Sequence, residues 1–279
     1  MNQVQQRSQT GALLTGLRCL PDFAFRAWVL VSAGLVLLYI FGPLTHALLA
    51  PEWSVFLETL KDREVLRSIG LSLYTSAMAA CIALVFGTPL AYVLARKQFY
   101  GKKLVESIID LPIMIPHPVV GIVLLSVAGR NHPFGELLQS VGITLMGTVT
   151  GIVAVLVFVG MPFFVNTVKA GIEGVPERYE NVSRSLGADR RATFFRILLP
   201  LTWRYLLVGM IMCMARALSE FGAIVIVAYH PMVAPVLMYE RFTAYGLTYS
   251  QPVAVLLILV SLVFFLFLRV VSQPDRRQR

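Results

Sequence analysis

Charged side chains are scarce in this sequence. Only 14% of its 279 residues are Asp, Glu, Lys or Arg, whereas about one quarter of a soluble globular domain is charged. Apolar residues make up 57% of the chain, and the mean hydropathy is +0.74. This composition excludes an ordinary soluble domain and indicates an integral membrane protein.

Cysteines and catalytic motifs are also scarce. Cys19, Cys81 and Cys213 fall in the amino-terminal tail or in predicted helices, so no disulfide framework is expected. The four histidines have no metal-ligand spacing, and neither a Gly-x-Ser-x-Gly nor a His-Glu-x-x-His motif occurs. A Gly-x-x-x-x-Gly-Lys-Ser/Thr phosphate loop is missing as well. We therefore predict no catalytic residues, metal or cofactor in this chain, which cannot itself be an ATPase.

Long stretches without charge supply the membrane-spanning segments. Five of them are Ala27–Pro51, Ser68–Ala95, Leu111–Gly129, Leu137–Val168 and Phe242–Leu268. A sixth, Tyr205–Tyr239, is uncharged except for Arg216 and Glu220. Each can supply the roughly 20 residues that a spanning helix needs. The sequence therefore predicts an all-α membrane protein with six transmembrane helices.

The distribution of basic residues predicts the orientation of these helices. Lys and Arg concentrate in both termini and in the second and fourth loops, which places these parts in the cytoplasm. We expect residues 1–26 to form a cytoplasmic tail, 27–271 a transmembrane domain and 272–279 a second cytoplasmic tail. The first apolar run lacks a following cleavage site, so it is expected to remain as a span. The net charge of +9 reflects this bias and requires no nucleic acid.

Two shorter segments have distinctive patterns. The first outer loop, Glu52–Arg67, alternates in charge and is expected to form a short interfacial helix. Between Asp110 and Gly121, three prolines fall within seven residues and are expected to kink or break the third helix. Broken backbone at membrane depth is tolerated where it lines a cavity, so this segment is a candidate pathway wall. A kinked helix start packed near the cytoplasmic surface is an equal alternative.

Arg216 and Glu220 are candidates for the substrate pathway because ionisable groups inside a membrane usually pair or line a path. They lie four residues apart and share one face of the predicted fifth helix. Arg216 would lower the barrier to an anion, and Glu220 would prevent tight trapping. A purely structural ion pair between helices remains open. Further pathway candidates are Asp110, which could equally cap the third helix, His117 and Ser219.

The fourth loop, about 170–203, contains a basic amphipathic segment from Asn181 to Pro200. Gly187 can end one short helix in the left-handed conformation, and Asp189 can cap a second one. Pro200 suits the entry to the next span. Such a helix pair, projecting from the bilayer, can transmit the movement of a soluble motor protein to the membrane helices. Anchoring by positive charge alone, with no partner, is the alternative.

The spacing of Gly187, Ile197, Leu199 and Pro200 resembles the signature loop of ABC-importer permeases. The chain is similar to molybdate/tungstate permeases, within a wider group that includes sulfate permeases. The other matching blocks are Gly87–Arg96 with Asp110–Pro116, Ala215–Ala223 and Tyr229–Arg241. The chain departs from the family's Glu-Ala-Ala triplet, because Asn181, Val182 and Ser183 stand there and Glu180 lies one place earlier.

This resemblance implies a permease fold with a cytoplasmic coupling helix, in a prokaryotic cell membrane. It implies a homodimer that works with two ATPase subunits, which bind ATP and magnesium, and an extracytoplasmic binding protein that delivers a tetrahedral oxyanion. The residues implied in contacting the ATPases are Arg184, Leu186, Gly187, Ala188 and Asp189. The rival functions are a sulfate permease, an ion-coupled secondary transporter and, last, an intramembrane enzyme.

Overall fold

The computed structural model describes residues 22–129 and 132–272, and these ranges contain helices, turns and loops but no strand. Most of the predicted amino-terminal tail, Cys19, and residues 273–279 lie outside the described residues. The chain divides into two compact units, Met1–Pro51 and Glu52–Arg279. The first unit contains α1 (Asp22–Leu49), an apolar helix of 28 residues that is long enough to span a bilayer.

The second unit carries the rest of the helices. They are α2 (Trp53–Lys61), α3 (Arg63–Ile82), α4 (Thr88–Arg96), α5 (Lys102–Met114), α6 (His117–Ala128), α7 (Pro133–Ser140), α8 (Val149–Glu173), α9 (Arg178–Ser185), α10 (Arg190–Thr193), α11 (Leu199–Leu218), α12 (Ile224–Val227), α13 (Ala234–Tyr245) and α14 (Leu247–Ser272). The helix predicted in the first outer loop is confirmed as α2.

Two of the spans are continuous helices with a π-helical turn inside them. Ala83–Gly87 joins α3 to α4, and Phe194–Leu198 joins α10 to α11. A proline follows each turn, at Pro89 and Pro200. Since proline cannot donate a backbone hydrogen bond and its ring crowds the preceding turn, a local widening of the helix accommodates it. Pro200 therefore lies inside a helix that has already begun at Arg190, rather than at its entry as predicted.

The prediction of six spans is confirmed when one bent pair is counted as a span. Five helices of the described residues are long and apolar enough: Phe23–Leu49, Arg63–Arg96, Val149–Glu173, Arg190–Leu218 and Leu247–Leu266. The sixth consists of α5 and α6, which meet at an angle of 116°. The break falls at Ile115 and Pro116, as the proline cluster predicts.

The fourth and fifth uncharged stretches are each interrupted, so only part of each belongs to a spanning helix. The stretch 137–168 is not one helix, because Gly142 and Gly147 adopt positive φ values of 78° and 68° and separate α7 from α8. The Thr148 hydroxyl then caps α8 by accepting from the Gly151 amide. The stretch 205–239 is also interrupted, because the helix that contains Arg216 ends at Leu218.

The core of the second unit is built around α8, which packs closely on α11. A Cβ on Gly160 would lie 2.6 Å from Cys213 Sγ, and a Cβ on Gly171 would overlap the ring of Tyr205. Small residues allow two membrane helices to approach closely in this way. This contact places the end of α11, with Arg216, against the centre of the unit.

A cluster of polar side chains links the α2–α3 junction to α13. Asp62 caps α3 by accepting from the Glu64 amide at 2.8 Å, and it pairs with Arg241 of α13. The Arg241 guanidinium holds the pKa of the Asp62 carboxyl below its usual range. The hydroxyl of Ser72 accepts from the Ala234 amide at 2.8 Å, so α3 also fixes the start of α13.

Candidate substrate pathway and coupling segment

Arg216, Glu220 and His117 form one cluster where α11 ends beside the break between α5 and α6. Arg216 Nη2 donates to Glu220 Oε2 at 2.7 Å and lies 2.9 Å from His117 Nδ1. The other carboxylate oxygen of Glu220 accepts from the Ala223 amide at 2.9 Å. The predicted pairing of Arg216 with Glu220 is present, but Glu220 lies in the loop after α11 rather than inside the helix.

Burial within the cluster is graded. The Glu220 side chain is fully buried, the Arg216 side chain is 17% exposed and the His117 side chain is 46% exposed. Because Glu220 is held by an amide and a guanidinium, its charge is satisfied inside the protein. The exposed edge of the cluster therefore consists of the Arg216 guanidinium and the His117 imidazole, and a guanidinium suits an oxyanion.

Two glycines allow the loop after Glu220 to lie against α6. A Cβ on Gly222 would stand 3.0 Å from His117 Cβ, and a Cβ on Gly121 would stand 2.8 Å from the Ala223 carbonyl. These close approaches bring residues far apart in sequence to one site. Sequence reasoning missed both glycines, since close approach between distant segments leaves no local pattern.

The remaining pathway candidates do not join this cluster. Asp110 Oδ1 accepts from Asn166 Nδ2 at 2.6 Å, which links α5 to α8. One turn earlier on α5, Glu106 pairs with Lys169 of α8. Among the described residues, Asp110 makes no hydrogen bond or ion pair with Arg216 or His117. Asn166 was missed, although an amide side chain in an apolar helix was a signal for it.

Ser219 lies beside the cluster but faces another way. Its hydroxyl donates to the Arg216 carbonyl at 3.1 Å, within its own helix end. Its side chain also lines an apolar recess with Leu262 and Phe265 of α14. Ser219 therefore borders the cluster without contributing a hydrogen bond to it.

The coupling segment predicted from the sequence consists of α9, a tight turn at Gly187 and α10. Gly187 has a φ of 90°, the left-handed conformation predicted for it. The Gly187 amide donates to the Arg184 carbonyl and the Ala188 amide to the Ser183 carbonyl, which is the hydrogen-bond pattern of a Schellman cap. The Asp189 carboxylate accepts from the Ala192 amide at 2.7 Å and caps α10, as predicted.

The tip of this turn is apolar and open. The Leu186 side chain is 84% exposed, although it follows directly on a well-formed helix. Arg184, Gly187 and Asp189 are exposed around it, and Ala188 is half-buried. An exposed apolar residue at the end of a rigid helix pair suits insertion into a partner surface.

The base of the coupling segment is tied to α4. Arg96 Nε and Glu180 Oε1 lie 2.6 Å apart, with 8% and 11% of the two side chains exposed. Arg96 Nη2 also donates to the Val175 carbonyl at 2.7 Å. Asn181, in the position of the family's glutamate, is exposed. The carboxylate one place earlier therefore makes a salt bridge within the chain, which sequence reasoning did not foresee.

Within residues 22–129 and 132–272, no group of three or more His, Cys, Asp or Glu side chains could hold a metal ion. Cys81 and Cys213 are free thiols.

Comparison with known proteins identifies the family. The family described as "Binding-protein-dependent transport system inner membrane component" matches residues 83–279. The chain belongs to that family. It is therefore a multi-pass inner membrane protein and a transport subunit rather than an enzyme, as predicted.

Curated relatives confirm the resemblance stated from the sequence. A molybdate/tungstate transport system permease protein of Methanocaldococcus jannaschii is 42% identical over 244 residues, 87% of this chain and 95% of that protein. One of Pyrococcus furiosus is 46% identical over 211 residues, 76% of this chain and 80% of that protein. A sulfate transport system permease protein of Synechocystis is 32% identical over 207 residues, 73% of this chain and 72% of that protein.

The fold is confirmed by a solved structure. A chain of a bacterial ABC transporter involved in the import of the acidic polysaccharide alginate matches with a TM-score of 0.72 at 18% identity. The match covers 94% of this chain and 98% of that chain. The protein has the fold of ABC-importer permeases.

Proposed function

We propose that this chain is the membrane-spanning subunit of an ATP-driven importer of a tetrahedral oxyanion, molybdate or tungstate. The observation that carries the proposal is the 42% identity to a molybdate/tungstate permease over nearly that protein's whole length. The lower identity to a sulfate permease favours this cargo over sulfate. The partly exposed guanidinium of Arg216 supports an anionic cargo.

We propose that two copies of the chain enclose one pathway, with two ATPase subunits inside the cell and a binding protein outside it. The ATPases bind ATP and magnesium, so the permease needs no cofactor of its own. The turn of the coupling segment, from Arg184 to Asp189, supports this assembly, because its exposed Leu186 side chain suits a groove in a soluble partner. The family description itself refers to dependence on a binding protein.

In this proposal the permease alternates between two states and performs no covalent chemistry. ATP binding closes the ATPases and draws the two coupling segments together, which opens the pathway outward. Cargo enters from the binding protein, and hydrolysis restores the inward-facing state. The salt bridge between Arg96 and Glu180 carries the displacement of the coupling segment to α4 and so to the span that begins at Arg63.

We assign the exposed edge of the Arg216 cluster to the pathway. A dianion leaving water accepts hydrogen bonds from Arg216 and His117, which lowers its electrostatic barrier. The buried carboxylate of Glu220 offsets part of the positive charge, so the anion is not held tightly. Asp110 lies on the same broken helix pair as His117 and bonds Asn166 of α8, and Ser219 borders the cluster.

The cargo is tested by uptake of radiolabelled molybdate into proteoliposomes that contain the permease with its ATPase and binding protein. Competition by excess tungstate but not sulfate is expected. Strong competition by sulfate would instead assign the protein to the sulfate permeases. Selection among the tetrahedral oxyanions is expected to rest mainly on the binding protein. Uptake without ATP or the ATPase would favour the secondary transporter and overturn the proposal.

The pathway role is tested in the same vesicles with Arg216→Ala. We expect oxyanion flux to fall about tenfold or more while the amount of folded permease falls much less, because a charge-assisted hydrogen bond contributes about 1.5–3 kcal/mol. Arg204→Ala on the same helix is the matched control, since Arg204 stacks on Trp203 and not in the cluster. Equal losses of flux and folded protein in Arg216→Ala would assign the cluster to structure alone.

A further inference from the structure

A cationic recess lies at the base of the coupling segment, apart from its exposed tip. It has a volume of about 360 Å³ and is bounded by α4 on one side and by the α9–α10 region on the other. Its charged lining consists of Lys97, Arg184, Arg190 and Arg191, together with Glu180. Four cations and one carboxylate thus share a space large enough for a small organic phosphate.

The positive charge of the recess is not neutralised by the protein. None of the ion pairs among the described residues involves any of the four cations, and all four are exposed. The single carboxylate of the recess, Glu180, forms its salt bridge with Arg96 at 2.6 Å, so its negative charge is already paired. Clustered like charges repel one another, so an anion in the recess would relieve a cost that the fold leaves in place.

Part of the recess wall is apolar and comes from two spans. Val93 lies near the end of the span Arg63–Arg96, and Phe195 lies near the start of the span Arg190–Leu218. Their side chains are 41% and 62% exposed. The recess therefore combines cationic side chains with an apolar wall near the ends of two spans. By the positive-inside bias, this point lies on the cytoplasmic side, where acidic phospholipids are enriched.

We propose that this recess binds the phosphate headgroup of an acidic phospholipid such as phosphatidylglycerol. The headgroup phosphate lies among Arg190, Arg191 and Lys97, and an acyl chain follows the exposed side chains of Val93 and Phe195. A soluble anion uses the cations but leaves the apolar wall exposed. The ATPase partner is assigned to the protruding Leu186 tip, which does not line the recess. This site goes beyond the transport function and assigns a lipid to the base of the coupling segment.

The test measures lipid retained by the full-length permease purified together with its ATPase subunits, with native mass spectrometry in detergent containing phosphatidylglycerol or phosphatidylcholine. We expect selective retention of phosphatidylglycerol by the unmodified protein. Arg190→Gln with Arg191→Gln should weaken that retention about 25-fold, because each interfacial cation attracts an acidic lipid by an amount equivalent to about fivefold in affinity. Lys102→Gln with Lys103→Gln is the matched control, since this cation pair lies on the same predicted side but outside the recess.

Three results would overturn the proposal. An equal loss of phosphatidylglycerol in the Lys102 and Lys103 control would indicate general charge attraction. Displacement of the lipid by inorganic phosphate at equal concentration would assign the recess to a soluble anion. Unchanged lipid retention in the Arg190 and Arg191 variant, together with loss of the co-purifying ATPase, would assign these cations to the protein partner. A second variant, Phe195→Ala, should weaken retention without changing charge.

Discussion

At the scale of the residue, Glu180 and Asn181 are neighbours on α9 whose side chains meet different surroundings. Successive residues of a helix are rotated by about 100°, so Glu180 is buried against Arg96 while Asn181 is exposed. The family resemblance puts a carboxylate at the exposed position. In this chain the carboxylate of Glu180 holds the coupling segment to α4. Asn181 places an amide at the exposed position where the family has a carboxylate.

Glu180→Gln should weaken coupling, because it leaves the Arg96 guanidinium largely buried without its counter-charge. We expect a loss of about 1–3 kcal/mol in the free energy of unfolding and more ATP hydrolysed per oxyanion transported. Both are measured on the reconstituted importer, with Glu177→Gln as control because Glu177 is an exposed acid in the same segment. Equal ATP-to-cargo ratios in the two variants would contradict the coupling role.

At the scale of the element, glycines decide where helices end and how closely they pack. Gly187 ends α9 in the left-handed conformation, and Gly171 lets α8 approach the Tyr205 ring of α11. By contrast, a Cβ on Gly70 of α3 would meet no atom within 4 Å. The cost of adding a methyl group therefore depends on how closely the neighbouring helix approaches each glycine.

Gly187→Ala should alter the turn at the tip of the coupling segment. A left-handed alanine costs about 1–2 kcal/mol, so the turn should shift and uptake per ATP should fall while the spans remain folded. Gly174→Ala is the control, because Gly174 has an ordinary helical φ of −67° and room for a methyl group. Uptake per ATP that is the same in both variants would show that the turn geometry does not carry coupling.

Gly171→Ala should separate α8 from α11 and destabilise the permease by about 1–3 kcal/mol, since an added methyl group overpacks a tight contact. Gly70→Ala should be neutral or stabilising by up to about 1 kcal/mol, because alanine favours the helix and meets no neighbour there. Thermal unfolding of both variants in detergent distinguishes them. Equal melting temperatures would refute the packing assignment.

At the scale of the whole molecule, charge asymmetry across the membrane predicts the orientation. Basic residues concentrate in the segments that the alternation of spans assigns to one side, including the coupling segment and both termini. The coupling segment must face the ATPases in the proposed importer. Function and charge bias therefore require the same orientation.

This orientation predicts that a fluorescent protein fused after Arg279 is fluorescent in the cytoplasm. Alkaline phosphatase fused after Gly246, between α13 and α14, should be active because that segment is predicted to lie outside. Exchanging the two reporters between the two positions should silence both, which controls for expression. An active phosphatase after Arg279 would reverse the predicted topology.

The amino-acid sequence by itself determined the membrane class, the number of spans, the break in the third span and the turn at Gly187. Each of these depends on local chemistry: the transfer of apolar runs into lipid, the missing amide of proline, or the φ of one glycine. Hydropathy alone did not locate the interruptions within the fourth and fifth uncharged stretches, where helices end at Ser140 and Leu218.

Only the tertiary structure decided which polar groups meet. Arg216 and His117 are 99 positions apart in sequence, Arg96 and Glu180 are 84 apart, and Asp110 and Asn166 are 56 apart. Apolar helices carry little local information about which neighbour they pack against, since lipid and protein are equally apolar. The close approaches at Gly121 and Gly222 set α6 against the loop after Glu220 and so bring His117 to Arg216, and the close approach at Gly171 sets α8 against α11.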